Sequence, residues 1–393
     1  MQNQIENFQL LSKPTGSVCN IDCEYCFYLE KEKLYPSRKQ NWQMDEETLK
    51  NYVKTNIESQ SAPVIDFIWQ GGEPTLAGLA FFEKAVAYQQ RYAQGKQINN
   101  FFQTNGLNLT PSWAKFFHRH QFLIGLSIDG NAEHHNRYRR TKSGKNTYDK
   151  VIEAIELLKK YQVEFNTLTV VSEHNVHEPL EVYRALKAIG SHYMQFIPLV
   201  ERIANQADAN GLFLIKPDFS DPCQVAPWTV PSAAYGHFLN TIFDEWQKHD
   251  IGQYFVMNFE QTMTQLIGGK GSCVFSEECG ANLALEANGD VYSCDHFVFP
   301  DNKLGNIHHN NLLKMVNSEQ QIQFSQSKSK DISVDCLQCP VKAVCHGGCP
   351  KHRFSLSSNG IPNKNYLCDG YKVHFSHCVP PMKEIIRRVL QSA

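Results

Sequence analysis

From about residue 60 to 200 the chain alternates short apolar, β-rich runs with amphipathic helical stretches. The runs are VIDFIW (64–69), INNFFQ (98–103), FLIGLSI (122–128), FNTLTVV (165–171) and YMQFIP (193–198), with FQLLSK (8–13) upstream as a first strand. Parallel strands cannot be joined by a tight turn. Each needs a crossover of about a dozen residues or more, and the helical stretches between the runs supply it. In YDKVIEAIELLKKY (148–161), Val151, Ile152, Ala154, Ile155 and Leu158 recur at helical spacing and mark a packing face. Six such units predict a parallel α/β sheet. Nearly every run ends in a polar or glycine-bearing turn: SKPTGSVC, WQGGEPT, QTNG, SIDG and PLVER. Parallel α/β folds place their chemistry on the loops at strand C-termini. Five such loops converging on one mouth fit a partial (β/α)6 TIM-like barrel better than an open sheet with a single crevice.

Cysteine placement constrains the remainder. Of thirteen cysteines, three sit at 19, 23 and 26, one at 223, and nine between 273 and 378, so two thiol-rich regions flank a thiol-poor middle. Disulfides are rare in reducing compartments, and clustered thiols there are metal ligands or catalysts. The expected compartment is the cytoplasm. The N-terminus MQNQIENFQLLSKP lacks the apolar core of a signal peptide, and no apolar run nears the roughly 18 residues of a membrane helix. Lys+Arg 38 against Asp+Glu 40 leaves no basic excess, so neither nucleic acid nor a membrane is expected as a partner. Residues 201–230, rich in Pro, Asp, Asn and Ala, read as a long connection or a substrate-side insertion, and helical character returns at YGHFLNTIFDEWQKH (235–249). From about 270 onward glycine, cysteine and short segments dominate, the composition of a small domain held together by metal.

Within CNIDCEYCFYLEK (19–31), Cys19, Cys23 and Cys26 form a C-x3-C-x2-C pattern with aromatic side chains directly after it. A structural zinc site wants a closed set of four ligands. Disulfide pairing would leave one thiol over. A 4Fe–4S cubane takes one soft thiolate per iron, so three cysteines would leave one iron open to a ligand that is not protein. The C-terminal region reads Cys273-x5-Cys279-x14-Cys294, then Cys336-x2-Cys339-x5-Cys345-x3-Cys349-x18-Cys368, with Cys378 beyond. A single CxxC pair would also suit a zinc ribbon.

CNIDCEYCFY resembles the cysteine motif of radical S-adenosylmethionine enzymes. The resemblance implies that the open iron is chelated by S-adenosylmethionine and that a 5′-deoxyadenosyl radical abstracts a substrate hydrogen. WQGGEPT (69–75) is similar to the family's Gly-Gly-Glu-Pro loop, which implies cofactor contacts from Gln70, Gly71, Gly72 and Glu73, the glutamate accepting from the cofactor's amino group. Ser127 looks like the ribose position, and Arg139, with Arg137 and Arg140 as neighbours, like the one that binds the methionine carboxylate. Tyr28 and Val200 resemble positions bordering the adenine. The C-terminal cysteines resemble the SPASM extension, which holds two auxiliary clusters. That implies Cys273, Cys279, Cys294 and Cys349 for the first and Cys336, Cys339, Cys345 and Cys368 for the second, making three 4Fe–4S clusters in all. Cys223 and Cys378 are read as structural or surface thiols, with Cys378 an alternative to Cys368 as the last ligand. The expected domains are a partial-barrel core (1–235), a helical linker (236–269), the SPASM domain (270–380) and a C-terminal helix (381–393).

KPTGSVCNIDCEYCFYLEK, FIWQGGEPTLAGLAFF, FFQTNG, FLIGLSIDG, DVYSCDHFV, LGNI and CHGGCPKHRF together resemble the anaerobic sulfatase-maturating enzymes. The resemblance implies oxidation of a cysteine or serine in a sulfatase polypeptide to Cα-formylglycine, with Asp295 as the base and a reduced flavodoxin- or ferredoxin-type electron donor. Gln103, Thr104 and Asn105, on a strand-end loop, are expected to contact the cofactor or the peptide. The paired histidines His134/His135 and His308/His309 are read as surface groups or groups behind the site. The other readings are a SPASM-type radical enzyme that crosslinks or epimerises another peptide, and an iron–sulfur carrier or zinc scaffold. Only an enzyme needs the small-molecule pocket that GGEPT, QTNG and SIDG suggest.

Overall fold

The computed structural model describes residues 4–35, 42–208, 211–213, 215, 216, 219 and 223–392. Six strands match the apolar runs: β1 (Gln9–Lys13), β2 (Val64–Trp69), β3 (Gln97–Thr104), β4 (Leu123–Ser127), β5 (Phe165–Val171) and β6 (Tyr193–Pro198). They lie side by side in chain order and pair in parallel throughout. Each crossover is helical: α1 (Glu46–Glu58), α2 (Leu79–Tyr92), α3 (Pro111–Arg119), α4 (Tyr148–Lys160) and α5 (Pro179–Ala188).

Local chemistry sets the helix ends. Asp45 caps α1 by accepting from the Thr48 amide at 2.7 Å, and Thr110 caps α3, where Pro111 occupies the first turn and needs no amide partner. The stripe of α4 packs inward as its spacing predicts, with Val151, Ala154, Ile155 and Leu158 buried and Ile152 half-buried. Under α1, α2 and α3 the core is aromatic: Tyr52, Phe67, Trp69, Phe82, Phe102 and Phe117 are fully or almost fully buried. Burying each such ring contributes about 1.5–3 kcal/mol. The one polar atom of Trp69 is satisfied, Nε1 donating to Asn100 Oδ1 at 2.8 Å.

The expected domain boundaries fall inside continuous structure. The segment taken as a linker contains α6 (Ser232–His249), a short strand β7 (Phe255–Val256) and α7 (Met257–Leu266), and β7 joins the sheet beside β6. The segment taken as a separate SPASM unit contributes β8 (Asn282–Glu286), which pairs in parallel with β1 over five residues, from Gln9↔Asn282 to Lys13↔Glu286. Strands β9 (Asp290–Tyr292) and β10 (Lys303–Asn306) follow antiparallel and complete a ten-stranded sheet. The final helix α8 (Cys368–Ser392) starts at the last expected cluster cysteine, well before 381. It crosses α6 where Gly236 meets Gly370. A Cβ on Gly370 would stand 2.0 Å from the Ser232 carbonyl oxygen, so only glycine permits this approach. Part of the 201–230 connection lies outside the described residues; within it Arg202–Ala204 pairs antiparallel with Cys223–Val225.

Candidate active site

The C-terminal ends of the parallel strands surround a cavity of ≈ 320 Å³. Cys19, Cys23 and Cys26 all line it. Their loop is pinned from across the mouth: Ile21–Cys23 forms an antiparallel ladder with Arg139–Thr141, setting Cys23 opposite Arg139. Arg139 lines the cavity and grips the buried Asp129 with two bonds, Nε to Oδ2 at 2.7 Å and an Nη to Oδ1 at 3.2 Å. Asp129 also accepts from the Tyr25 hydroxyl at 2.8 Å and the Val170 amide at 2.9 Å. Of the three neighbouring arginines, Arg139 alone reaches the wall; Arg137 lies outside, 3.6 Å from Glu24, and Arg140 is exposed.

Tyr28, Gln70, Gly71, Gly72, Gln103, Thr104, Asn105, Ser127 and Val200 share the same wall. Glu73 is the exception. Its fully buried carboxylate accepts from the Thr75 amide (3.1 Å), the Thr75 and Thr104 hydroxyls (2.7 and 2.8 Å) and the Asn105 amide (2.8 Å), tying the β2 loop to the β3 loop. Three of these donors meet Oε1 and one meets Oε2, so the carboxylate braces the two loops from behind the cavity wall. Thr104 and Asn105 are similarly engaged, the Asn105 side chain donating to Asn20 at 2.7 Å. Gln70 differs from them, with its Oε1 buried and unpartnered. Such an atom on a cavity wall asks for a donor from a ligand.

Asp295 lines the same cavity as the three thiols, in the turn that follows β9 and Cys294. It forms an ion pair with Lys13, the last residue of β1, whose ammonium also lies 3.4 Å from the centroid of the Tyr28 ring. The Tyr28 hydroxyl donates to Glu286, the β8 partner of Lys13. Lys31 donates to the Asp295 carbonyl oxygen at 3.4 Å, and Lys351 pairs with Glu201. Burial alone would raise the Asp295 pKa, but Lys13, His296 and Lys31 outweigh it and bring it down to about 2. Burial, with repulsion from Lys13, lowers Lys31 to about 7. These lysines were not singled out from the sequence. Their available signal was position: Lys13 precedes the PTGSVC turn, Lys31 closes the first cysteine motif, and Lys351 sits in CHGGCPKHRF.

Of the two readings for the paired histidines, surface or behind the site, His134 and His135 are buried and take the second. His134 Nε2 pairs with Glu178 at 2.8 Å, and His135 Nδ1 faces the Asp129 amide at 3.4 Å, behind the arginine clamp. His308 and His309 are exposed.

The donor sets suit soft-metal clusters. Burial pushes Cys19 up to about 11 and raises Cys23 and Cys26, so these thiols need a metal to hold them as thiolates. Cys336, Cys339, Cys345 and Cys368 line one small cleft. Cys273 and Cys349 act electrostatically on each other and on both Cys279 and Cys294. Among the described residues no three His, Cys, Asp or Glu side chains converge tightly enough to share one ion; a cubane asks for less, because each thiolate meets a different iron. Cys378 is fully buried in the apolar core 3.6 Å from His374, not beside the cleft that Cys368 lines. Among the described residues no helix is long and apolar enough to cross a membrane.

Residues 14–186 match the family model for the radical SAM superfamily, and 273–340 match the SPASM model, an iron–sulfur cluster-binding domain. The chain is 42% identical to a serine-type anaerobic sulfatase-maturating enzyme of Bacteroides thetaiotaomicron over 95% of its length and 90% of the relative's. It is 32% identical to a cysteine-type enzyme of Clostridium perfringens, covering 97% of this chain and 98% of that one. A solved structure described as native anSMEcpe with bound AdoMet and Cp18Cys peptide superposes with a TM-score of 0.82 at 32% identity, over 97% of this chain and 99% of the other. With a radical SAM fold, a cysteine-lined mouth and this degree of identity along nearly its whole length, the chain belongs to the anaerobic sulfatase-maturating enzymes.

Proposed function

We propose that the chain oxidises a serine of a sulfatase polypeptide to Cα-formylglycine. The side chain gives up one hydrogen atom from Cβ, one proton from the hydroxyl and one electron, so that CH2OH becomes CHO. When bound, S-adenosylmethionine on the Cys19–Cys23–Cys26 cluster supplies the abstracting radical, and the auxiliary clusters on Cys273, Cys279, Cys294 and Cys349 and on Cys336, Cys339, Cys345 and Cys368 supply a sink for the electron.

The chain's own groups do the remainder. Asp295 takes the hydroxyl proton, and the observation that carries this reading is its position on the same cavity wall as the three thiols, held by Lys13. Arg139 meets the methionine carboxylate, Ser127 the ribose, and Tyr28 and Val200 border the adenine, while Gly71 and Gly72 let backbone approach the ligand. Gln70 and Gln103 make the direct polar contacts to cofactor and peptide; Thr104, Asn105 and Glu73 fix the loops behind them. Serine is chosen over cysteine because the serine-type relative is 42% identical and the cysteine-type one 32%. A reduced flavodoxin- or ferredoxin-type protein primes the reaction, in the cytoplasm, where thiols stay reduced. Functionally, residues 1–235 form the radical core and 270–380 the SPASM portion, even though one sheet runs through both.

The test is anaerobic reconstitution with S-adenosylmethionine, a reductant and two sulfatase-derived peptides, one with serine and one with cysteine at the target. Mass spectrometry reads formylglycine, and 5′-deoxyadenosine is counted alongside. Faster turnover of the serine peptide supports the proposal. Exclusive turnover of the cysteine peptide overturns the serine assignment, and deoxyadenosine without modification of either peptide overturns the substrate.

A further inference from the structure

Two cations lie among the eight C-terminal thiols, and among the described residues neither has a carboxylate within ion-pair distance. Lys328 is fully buried, and its ammonium donates to the Cys273 and Val274 carbonyls at 2.6 and 2.9 Å. Arg353 donates to four backbone carbonyls: Lys328 (2.6 Å), His346 (3.0 Å), Gly347 (3.1 Å) and Gly348 (3.3 Å). The last three form the bridge between Cys345, of one thiol set, and Cys349, of the other. All three are left-handed, with φ of 46°, 74° and 63°. For His346 that conformation is strained, and it persists because the guanidinium collects the carbonyls it presents.

A buried cation without a counter-charge is costly. Here the missing negative charge has an evident source, because four thiolates around a 4Fe–4S core leave a net anion. The two cations divide the thiols unequally. Lys328 holds the backbone at Cys273, of the first set. Arg353 holds the three residues that join Cys345 of the second set to Cys349 of the first.

We propose that Arg353 is a positioning residue shared by both auxiliary clusters, clamping the Cys345–Cys349 bridge and raising both reduction potentials, while Lys328 serves the first cluster alone. This rests on the reading that the eight thiols carry two clusters. Iron and sulfide analysis of the wild-type enzyme tests that reading separately, since a content matching only the three-cysteine cluster would remove it whatever the variants do.

The experiment is a reductive titration of the fully loaded enzyme followed by EPR, for wild type, Lys328→Met, Arg353→Gln and Arg353→Lys. Lys328→Met is expected to lower one auxiliary midpoint. Arg353→Gln should lower two, and Arg353→Lys, which keeps the charge on a shorter stem, should lower both by less. If Arg353→Gln loses clusters, the expected loss is of both auxiliary clusters, with S-adenosylmethionine binding at the three-cysteine cluster retained. If it fails to fold, Arg353→Lys decides by the same criterion. An effect confined to one auxiliary cluster, or to neither, overturns the proposal.

Discussion

Replacing Gly72 by alanine should disable the three-cysteine site while leaving the sheet in place. The Cβ would stand 2.1 Å from the Val18 carbonyl oxygen, 2.4 Å from its carbonyl carbon and 2.7 Å from that of Ser17. All three are backbone atoms, and no rotamer change relieves the clash. The two segments must separate by about 1 Å to reach ordinary contact. That separation strains two hydrogen bonds, Gly72 N to Gly16 O at 2.8 Å and Glu73 N to Val18 O at 2.9 Å. Overpacking of this kind costs about 1–3 kcal/mol, and each backbone bond lost adds about 1 kcal/mol. Functional loss should exceed the loss of stability, because Val18 adjoins Cys19 and the displacement passes directly to the first thiol. An error of about 1 Å at a reacting centre can cost about a hundredfold in rate. The assay is deoxyadenosine release per iron-loaded enzyme, with Gly95→Ala as comparison: its positive φ makes alanine unfavourable there, but nothing lies within 4 Å of its Cβ direction. A Gly72→Ala enzyme that cleaves S-adenosylmethionine at the wild-type rate would refute the reasoning.

Other perturbations separate the roles within the site. Arg139→Met strands the buried Asp129 and should cost about 3–5 kcal/mol with loss of S-adenosylmethionine binding, whereas Arg137→Ala, half-exposed beside Glu24, should stay within about 1 kcal/mol; thermal melts and equilibrium dialysis read both. Lys13→Met removes the cation that anchors Asp295 and holds it down at about 2; the carboxylate becomes more basic but loses its fixed position, so deoxyadenosine should still form while formylglycine falls about a hundredfold, and a parallel fall in both would point to a fold defect instead. Cys378→Ala should keep the full iron content at a cost of about 1 kcal/mol, while Cys368→Ala should lose a cluster, as iron analysis would show.

The six barrel strands were legible because each is a compact apolar run whose signal is local, and the cysteine sets because soft-metal spacing survives without any knowledge of the fold. What sequence could not reveal depends on pairing across long distances. NLALE (282–286) is an unremarkable short run, and nothing in it says that it lies beside β1. Lys13 ends a strand, where a lysine ordinarily reaches solvent; it is buried because Asp295, 282 positions later, supplies its counter-charge. Glu73 sits in a motif that implies a ligand, yet its carboxylate turns inward because the next strand presents two donors, from Thr104 and Asn105. In each case a distant partner, and not the local run of sequence, determines which way the residue faces.

The β1–β8 register has a consequence for the chemistry. In the proposed reaction hydrogen abstraction depends on the loop after β1, which carries the three thiols, and proton removal on Asp295, just beyond β8 and β9. Had these lain on separate domains, their spacing would depend on a hinge. Five consecutive parallel pairs, ending at Lys13↔Glu286, fix it through a backbone ladder instead. A strand's side chains alternate faces with a period of two, so a slip of one residue would turn Lys13 away from Asp295 and Glu286 away from Tyr28. The ion pair and the tyrosine bond therefore select the register as well as charge the site, and the same few groups keep the proposed base at a constant distance from the cysteine-lined mouth.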